Sequence, residues 1–207
     1  VITIAQPLYG PVPNQAHISY TALCCRAIAL GHEVNFDYVA NAYIDRGRNV
    51  LARSAIDSGS THILFVDHDM IVPYDALEKL MRHNLDVVGA LYFCKMPPFN
   101  PVYVKFDDKN LDGWTIDETF SPGVSRVGAA GAGCLLVKTS ALKAINDHFG
   151  QDDQWFRINM PMGEDVWFGK RCEAAGIDVY LDSNIECGHV SDYIVTTQDH
   201  LAFRNLT

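Results

Sequence analysis

At 207 residues, 48% of them hydrophobic and 20% charged, the chain is long enough for one substantial core and short for two, so a single domain over 1–207 is expected. A formal charge of −9 without any cluster of Lys and Arg excludes a general binder of phosphate backbones, and no nucleic-acid partner is expected. No apolar run approaches the length of a membrane span and no signal-peptide pattern is present. Six cysteines (Cys24, Cys25, Cys94, Cys134, Cys172, Cys187) in apolar surroundings without C-x-x-C spacing read as buried reduced thiols, which points to a cytoplasmic protein. The chain opens on Val1 rather than Met, which leaves room for membership of a larger multidomain protein.

Val1–Ala5, rich in β-branched residues, predicts a first strand, and QPLYGPVPN a Pro/Gly loop after it. In Gln15–Leu30, Ile18, Ala22, Cys25 and Ala29 recur at helical spacing, with Gly31 where a C-terminal cap belongs. His32–Val39 predicts a second strand. Asn41–Gly59 predicts a helix on which Asn49 and Arg53 share one face and Leu51 and Ala55 the opposite one. Thr61–Val72, THILFVDHDMIV, follows, bounded by Ser-Gly-Ser and Pro73. It reads as a buried central strand that delivers Asp67 and Asp69 to its carboxyl edge, where open α/β sheets bind ligands. Taken alone, the pair is better explained as the end of a strand and the cap of the next helix.

Tyr74–Asn84 predicts that helix, and Asp86–Phe93 another buried strand. Alternating strands and helices fold into a mostly parallel sheet with helices on both faces. Neither G-x-G-x-x-G nor G-x-x-x-x-G-K-[ST] is present, which disfavours dinucleotide and P-loop chemistry. Lys95–Ser125 is Pro-rich and aromatic, the pattern of a loop-and-hairpin excursion. Arg126–Val137 predicts one strand whose small residues around Gly131 and Gly133 serve either close approach to a ligand or close strand packing. Thr139–Phe149 predicts a helix, and Gln151–Met162 a loop holding Trp155 and Phe156. Gly163-Glu164-Asp165 opens a helix to Ala175 with Gly176 as its cap, the acidic pair sitting where the helix dipole favours negative charge. Ile177–Leu181 and Ile185–Cys187 predict two further strands, and Gly188-His189-Val190 ends the second. No element is predicted in Ser191–Thr207, where periodicity is weak.

Asp67/Asp69, Glu164/Asp165 and His189 are the groups that chemistry would bring together. Two carboxylates and an imidazole with several positions left open suit Mn²⁺ or Mg²⁺ that must also hold phosphate oxygens, and suit zinc poorly. Three pieces occur in order: RNVLARSAIDSGSTHILFVDHDM, GAAGAGCLLVKTSAL and GEDVWFGKRCEAAGIDVYLDSNIECGHV. In that order they resemble the metal-dependent glycosyltransferases of the A fold, in particular the family-two-like members, over roughly Arg48 to Val190. The resemblance implies a single-domain GT-A (nucleotide-diphospho-sugar transferase) fold. That is a Rossmann-like, mostly parallel central sheet with helices on both faces and a small antiparallel portion, in which 1–93 is the nucleotide-sugar-binding half and 94–207 the acceptor-binding half.

The resemblance also implies roles. Asp69 would be the main carboxylate ligand of Mn²⁺ (or Mg²⁺), His189 a second ligand, and Asp67 a partner to the metal or to the donor's ribose. Asn49 and Arg53 would face a UDP- or GDP-sugar, and the Pro7–Tyr9 loop would border the base. Asp165 would be the general base toward a carbohydrate or other hydroxyl acceptor, with inversion expected, and Glu164 the less favoured candidate. His68 is the variable middle residue, outside the metal shell.

Two alternatives stand beside this. A strand followed by D-x-D also describes a haloacid-dehalogenase-like phosphohydrolase with Asp67 as nucleophile and Asp69 as acid, although here the motif lies after two strand-helix units. A non-catalytic sugar- or nucleotide-binding module would use Trp114, Trp155 and Phe156 as a carbohydrate platform. Sugar, base and acceptor are chosen in Lys95–Ser125 and Gln151–Met162, which carry no readable code.

Overall fold

The run Ile63, Leu64, Phe65, Val66 has no polar alternation, so the strand it forms needs cover on both faces. In the structure, a computed structural model that describes residues 1–107, 109–110, 113–116, 119–191 and 194–204, all four are fully buried. Expectations for the remaining positions of the hairpin excursion and of the tail lie outside the described residues.

The elements in chain order are β1 (Ile2–Leu8), α1 (Asn14–Ala29), β2 (Val34–Ala40), α2 (Ile44–Asp57), β3 (His62–Val66), β4 (Met70–Ile71), α3 (Ala76–Arg82), β5 (Val87–Leu91), β6 (Tyr103–Phe106) and β7 (Trp114–Ile116). They continue with β8 (Val124–Val127), β9 (Ala129–Ala130), β10 (Cys134–Lys138), α4 (Thr139–His148), α5 (Glu164–Ala174), β11 (Val179–Glu186), β12 (Gly188–Val190), β13 (Ile194–Val195) and α6 (Thr197–Arg204).

A seven-stranded sheet in the order β2-β1-β3-β10-β5-β11-β8 forms the centre. Five strands run one way, while β10 and β8 run antiparallel to their neighbours, so the mixed and mostly parallel sheet expected from the sequence is the one that forms. Successive side chains of a strand point to opposite faces. Ile63 and Phe65 of β3 accordingly join the apolar stripes of α2 (Leu51, Ala52, Ala55) and α4 (Ala141, Leu142, Ile145). Leu64 and Val66 join α1 (Leu23, Ala27) and α3 (Leu77, Leu80) on the other face.

Several elements differ from their sequence reading. β1 runs on to Leu8, so Pro7 is a buried strand residue opposite Val39 rather than part of a loop. It is tolerated because the pairing of β1 with β3 ends at Ala5, leaving no ladder bond for proline to break. Arg126–Val137 is three strands: β8 lies at the sheet edge, β9 leaves to pair with β6, and β10 returns between β3 and β5. Gly133 donates its N–H to the Tyr92 hydroxyl at 3.1 Å, and a Cβ there would lie 2.9 Å from Tyr92 Cζ, so close packing accounts for the small residue. Ile177–Leu181 and Ile185–Cys187 are one strand, β11, whose register on β5 shifts between Asp182 and Glu186. The tail carries β13 and α6, a strand and a helix that weak periodicity did not announce. All six cysteines are free, but Cys25 and Cys94 are exposed rather than buried. Among the described residues no helix is long and apolar enough to cross a membrane.

Helix α5 is drawn against β9 at Gly169, where a Cβ would lie 2.5 Å from the Gly128 carbonyl oxygen and from Ala129 Cβ. Backbone cannot yield as a side-chain tip can. Gly169→Ala is therefore expected to destabilise the fold by about 1–3 kcal/mol in urea denaturation with an unchanged m-value. An unaltered midpoint would show that α5 is free to move off β9.

Candidate active site

β3 ends at Val66, and Asp67-His68-Asp69 cross the carboxyl edge of the sheet before the chain turns back as β4. The turn is closed by the Met70 N–H donating to the Asp67 carbonyl at 3.2 Å. β4 then pairs with β12, setting His189 opposite Met70, while the Val190 N–H donates to the Asp69 carbonyl at 2.9 Å. This ladder is what brings the late histidine to the early aspartate. His189 Nδ1 lies 2.7 Å from the Phe93 carbonyl, which can only accept, so Nδ1 carries the proton and Nε2 the lone pair. Nε2 faces Asp69 Oδ1 at 3.8 Å. Burial holds the His189 pKa below its ordinary value, favouring the neutral ring.

Arg48, 2% exposed, lies on the buried stripe of α2 with Leu51, Ala52 and Ala55. Its Nη2 sits 2.8 Å from Asp67 Oδ1 and donates to Oδ2 at 3.0 Å, and Nη1 donates to the Ala132 carbonyl at 3.0 Å. Nε is 3.5 Å from Glu164 Oε1, and the guanidinium carbon lies 5.9 Å from the ring centroids of both Phe65 and Phe156. Burial pushes the Asp67 carboxyl up to about 6 against the pull of Arg48, with Asp69 and Glu164 adding repulsion.

Asp69 Oδ2 is paired with Lys95 Nζ. Asp69 Oδ1 is buried and accepts no hydrogen bond among the described residues, whereas Asp67 Oδ1, also buried, is met by the Arg48 charge at 2.8 Å. An oxygen such as Asp69 Oδ1 is costly unless something positive meets it. Beside a neutral imidazole whose second nitrogen is anchored to a carbonyl, it fits a hard divalent cation. Among the described residues no three His, Cys, Asp or Glu side chains group closely enough to hold an ion by themselves, so the remaining positions would fall to water and ligand oxygens, as Mg²⁺ prefers.

Glu164 and Asp165 open α5 after Gly163. Neighbours on a helix point about 100° apart, and these two look into different cavities. Glu164 lines a cavity of about 700 Å³ with Tyr9, Asn41, Tyr43, Arg48 and Asp67. Asp165 lines a second, of about 380 Å³. Burial, then Glu164, pushes the Asp165 carboxyl up to about 6, although Asp165 Oδ1 accepts the Val166 N–H at 2.7 Å.

Other expected site residues lie elsewhere. Asn49 donates to the Phe156 carbonyl at 2.7 Å and accepts the Phe156 N–H at 2.9 Å, so both ends of its amide clasp the 151–162 loop. Arg53 pairs with Asp153 and lies 5.3 Å over the Trp155 ring. One residue along a helix is enough to turn a side chain away, and it is Arg48 that reaches the site. Its signal was available in the sequence: an arginine at the first position of an i, i+3, i+4, i+7 apolar stripe. Lys95 carried no comparable signal. Pro7 is buried in β1, whereas Tyr9 does line the larger cavity, its ring edge-on to His68 at 4.2 Å. Trp155 and Phe156 are buried in the core, which removes them from a carbohydrate platform; Trp114 lines the smaller cavity.

No family model matches the chain and no curated relative matches it. Solved structures do match. A197 from STIV superposes with a TM-score of 0.60 at 16% identity, over 96% of this chain and 91% of that one. A UDP-glucose pyrophosphorylase complexed with UDP-glucose gives 0.51 at 8% identity over 100% and 98%. TarS from S. aureus gives 0.50 at 14% identity over 99% of this chain and 38% of its own length. The fold is that of nucleotide-diphospho-sugar transferases. Identities this low speak for the fold alone, and within that fold the Asp67–Asp69 turn lies at the carboxyl edge of β3.

Removing the Arg48 guanidinium would leave the buried Asp67 and the half-buried Glu164 without their counter-charge. Arg48→Met is expected to cost about 3–5 kcal/mol in chemical denaturation. Asp67 already titrates above its unfolded value, so its contribution is present at low pH and lost as pH rises through about 6. Without Arg48 that loss deepens, and the destabilisation should be larger at about pH 8 than at about pH 5. An equal loss at both would show that Arg48 acts through packing alone.

Proposed function

We propose that the chain is a glycosyltransferase that moves a sugar from a nucleoside-diphosphate sugar, a UDP- or GDP-sugar, to an acceptor hydroxyl. The observation that carries this is the facing pair of Asp69 Oδ1 and His189 Nε2, 3.8 Å apart, at the carboxyl edge, together with the cavities that Glu164 and Asp165 line from adjacent positions of α5. The larger cavity, about 700 Å³, is of a size for a nucleotide sugar, with Tyr9 and Tyr43 available to a base. Mn²⁺ or Mg²⁺ held by Asp69 and His189, with Asp67 beside them, would offset the charge that grows on the departing diphosphate. Arg48 fixes the Asp67 carboxylate, which can accept a hydrogen bond from a ribose hydroxyl of the donor at that wall.

Asp165 is the base. As the acceptor oxygen bonds to the anomeric carbon, the bond from that carbon to the diphosphate oxygen breaks, and its electron pair leaves with the nucleoside diphosphate. The acceptor's proton passes to the Asp165 carboxylate. A carboxyl pushed up to about 6 is ionised at neutral pH yet more basic than an ordinary aspartate. Attack from the base side, opposite the leaving group, inverts the anomeric centre. Glu164, 3.5 Å from Arg48 Nε, is the poorer base. On this reading 1–207 is one catalytic domain with the donor side in 1–93 and the acceptor side in 94–207, and Glu164 crosses from the second to the first.

The clasp of Arg48 on Asp67 argues against a phosphohydrolase, whose nucleophilic carboxylate has to be open to in-line approach. Likeness to a pyrophosphorylase supports nucleotidyl transfer as a second reading on the same cavity. Release of pyrophosphate from a nucleoside triphosphate and a sugar phosphate, without transfer to any hydroxyl, would favour it.

Calorimetry should give UDP or GDP an affinity at least about tenfold higher with Mn²⁺ than with chelator, a difference lost in Asp69→Asn. Equal affinities would sink the metal-assisted reading. Asp165→Asn is expected to keep donor affinity while transfer falls about 10²–10⁴-fold. In the unaltered protein kcat should decline as pH drops below about 6, where Asp165 takes up its proton. Loss of donor binding together with transfer would mean that Asp165 only shapes the start of α5.

A further inference from the structure

The cavity that Asp165 lines is built almost wholly of apolar groups. Met96, Pro98, Val104, Trp114, Ile116 and Ala130 supply its wall, from the excursion after β5 and from β9. The Tyr103 hydroxyl, which could have offered polarity there, donates to the Thr119 carbonyl. Met96 and Ile116 are 73% and 47% exposed, so large apolar side chains stand in water beside the cavity. Trp114 Nε1, by contrast, is a buried donor with no hydrogen-bond partner among the described residues. A site of about 380 Å³ with an apolar wall and a few convergent polar groups is the form that small-molecule pockets take.

A free monosaccharide carries a hydroxyl on nearly every carbon. Against this wall most of them would lose water without gaining a partner, at a cost that repeats for each group. An alcohol with a single hydroxyl beside an apolar body meets no such cost, and its body removes the Met96 and Ile116 side chains from water.

We propose that the acceptor is an alcohol bearing an apolar group, which fills the cavity of Met96, Val104, Trp114 and Ile116 and presents its hydroxyl to the Asp165 carboxylate. This rests on the transferase reading and narrows it. The reaction is unchanged: the alcohol oxygen gains the anomeric carbon, its proton goes to Asp165, and the nucleoside diphosphate leaves with the bonding pair.

The test is ligand-observed NMR on the full chain with Mn²⁺ and UDP or GDP, using 4-methylbenzyl alcohol and glucose as probes. The alcohol is expected to bind at least about tenfold more tightly than glucose. Ile116→Asp places a charge on an exposed wall residue where folding is little affected. It should weaken the alcohol by about tenfold and leave nucleoside diphosphate affinity unchanged. Glucose binding as tightly as the alcohol, or an alcohol affinity indifferent to Ile116→Asp, would overturn the inference. If the alcohol binds but neither UDP nor GDP does with Mn²⁺, the cavity's preference is upheld and the transferase reading falls instead.

Discussion

The buried guanidinium of Arg48 is the contact on which the site depends. It bonds to Asp67 at the end of β3 and to the Ala132 carbonyl before β10, and it lies close to Glu164 at the start of α5, all from α2. A buried charge is costly unless it is countered; Nη1 and Nη2 have acceptors while Nε has only the Glu164 charge at 3.5 Å, so these elements are held in register by one side chain's requirements. The converse holds for the acids. Asp67, Asp69, Glu164 and Asp165 are gathered there, and among the described residues Arg48 and Lys95 are the basic side chains paired to them, while the buried Asp69 Oδ1 accepts no hydrogen bond. The balance of charge is negative, and it is negative at the edge of the sheet where a cation and a diphosphate would arrive together.

The antiparallel strand β10 arranges the rest. By entering between β3 and β5 it places a strand from the second half of the chain beside the one that ends in Asp67. The short path from β9 to β10 then supplies the Ala132 carbonyl to Arg48 and the Gly133 N–H to Tyr92. α5 packs on β9 through Gly169, so the same segment that serves Arg48 also sets the height of the Glu164–Asp165 pair. Two consecutive carboxylates can thereby serve two cavities, one clasped to an arginine and the other left basic.

How much of this was legible depended on whether the signal was local. The apolar run into Asp67-His68-Asp69 and the acidic start of α5 are local; α5 begins where the sequence indicated, while the single strand read over Thr61–Val72 ends at Val66 and resumes as β4 in another sheet, because the chain turns at Asp67-His68-Asp69. The meeting of His189 with Asp69 was suggested by side-chain chemistry and by resemblance but by no local pattern, because it rests on a β4–β12 ladder between distant segments. Arg48 was readable and was passed over: attention to the polar pair Asn49 and Arg53 selected the face that clasps the 151–162 loop, while the apolar stripe held the arginine that mattered. Trp155 and Phe156 belonged to a loop by composition, but composition does not say which way a loop's side chains turn, and these turn into the core. Arg126–Val137 looked like one strand because its glycines interrupt pairing without interrupting hydrophobicity.

The ladder that carries His189 is short, with β4 spanning two residues and β12 three, outside the seven-stranded sheet. Local opening follows the number of bonds and contacts that must be broken, and a patch this small comes apart at a lower free energy than the molecule as a whole. Integrity of the site is therefore a subglobal property: a population with His189 swung away from Asp69 can exist while the central sheet is intact. A ligand that bridges the two residues would draw that population back, so amide exchange along β4 and β12 would slow on loading far more than exchange in β3.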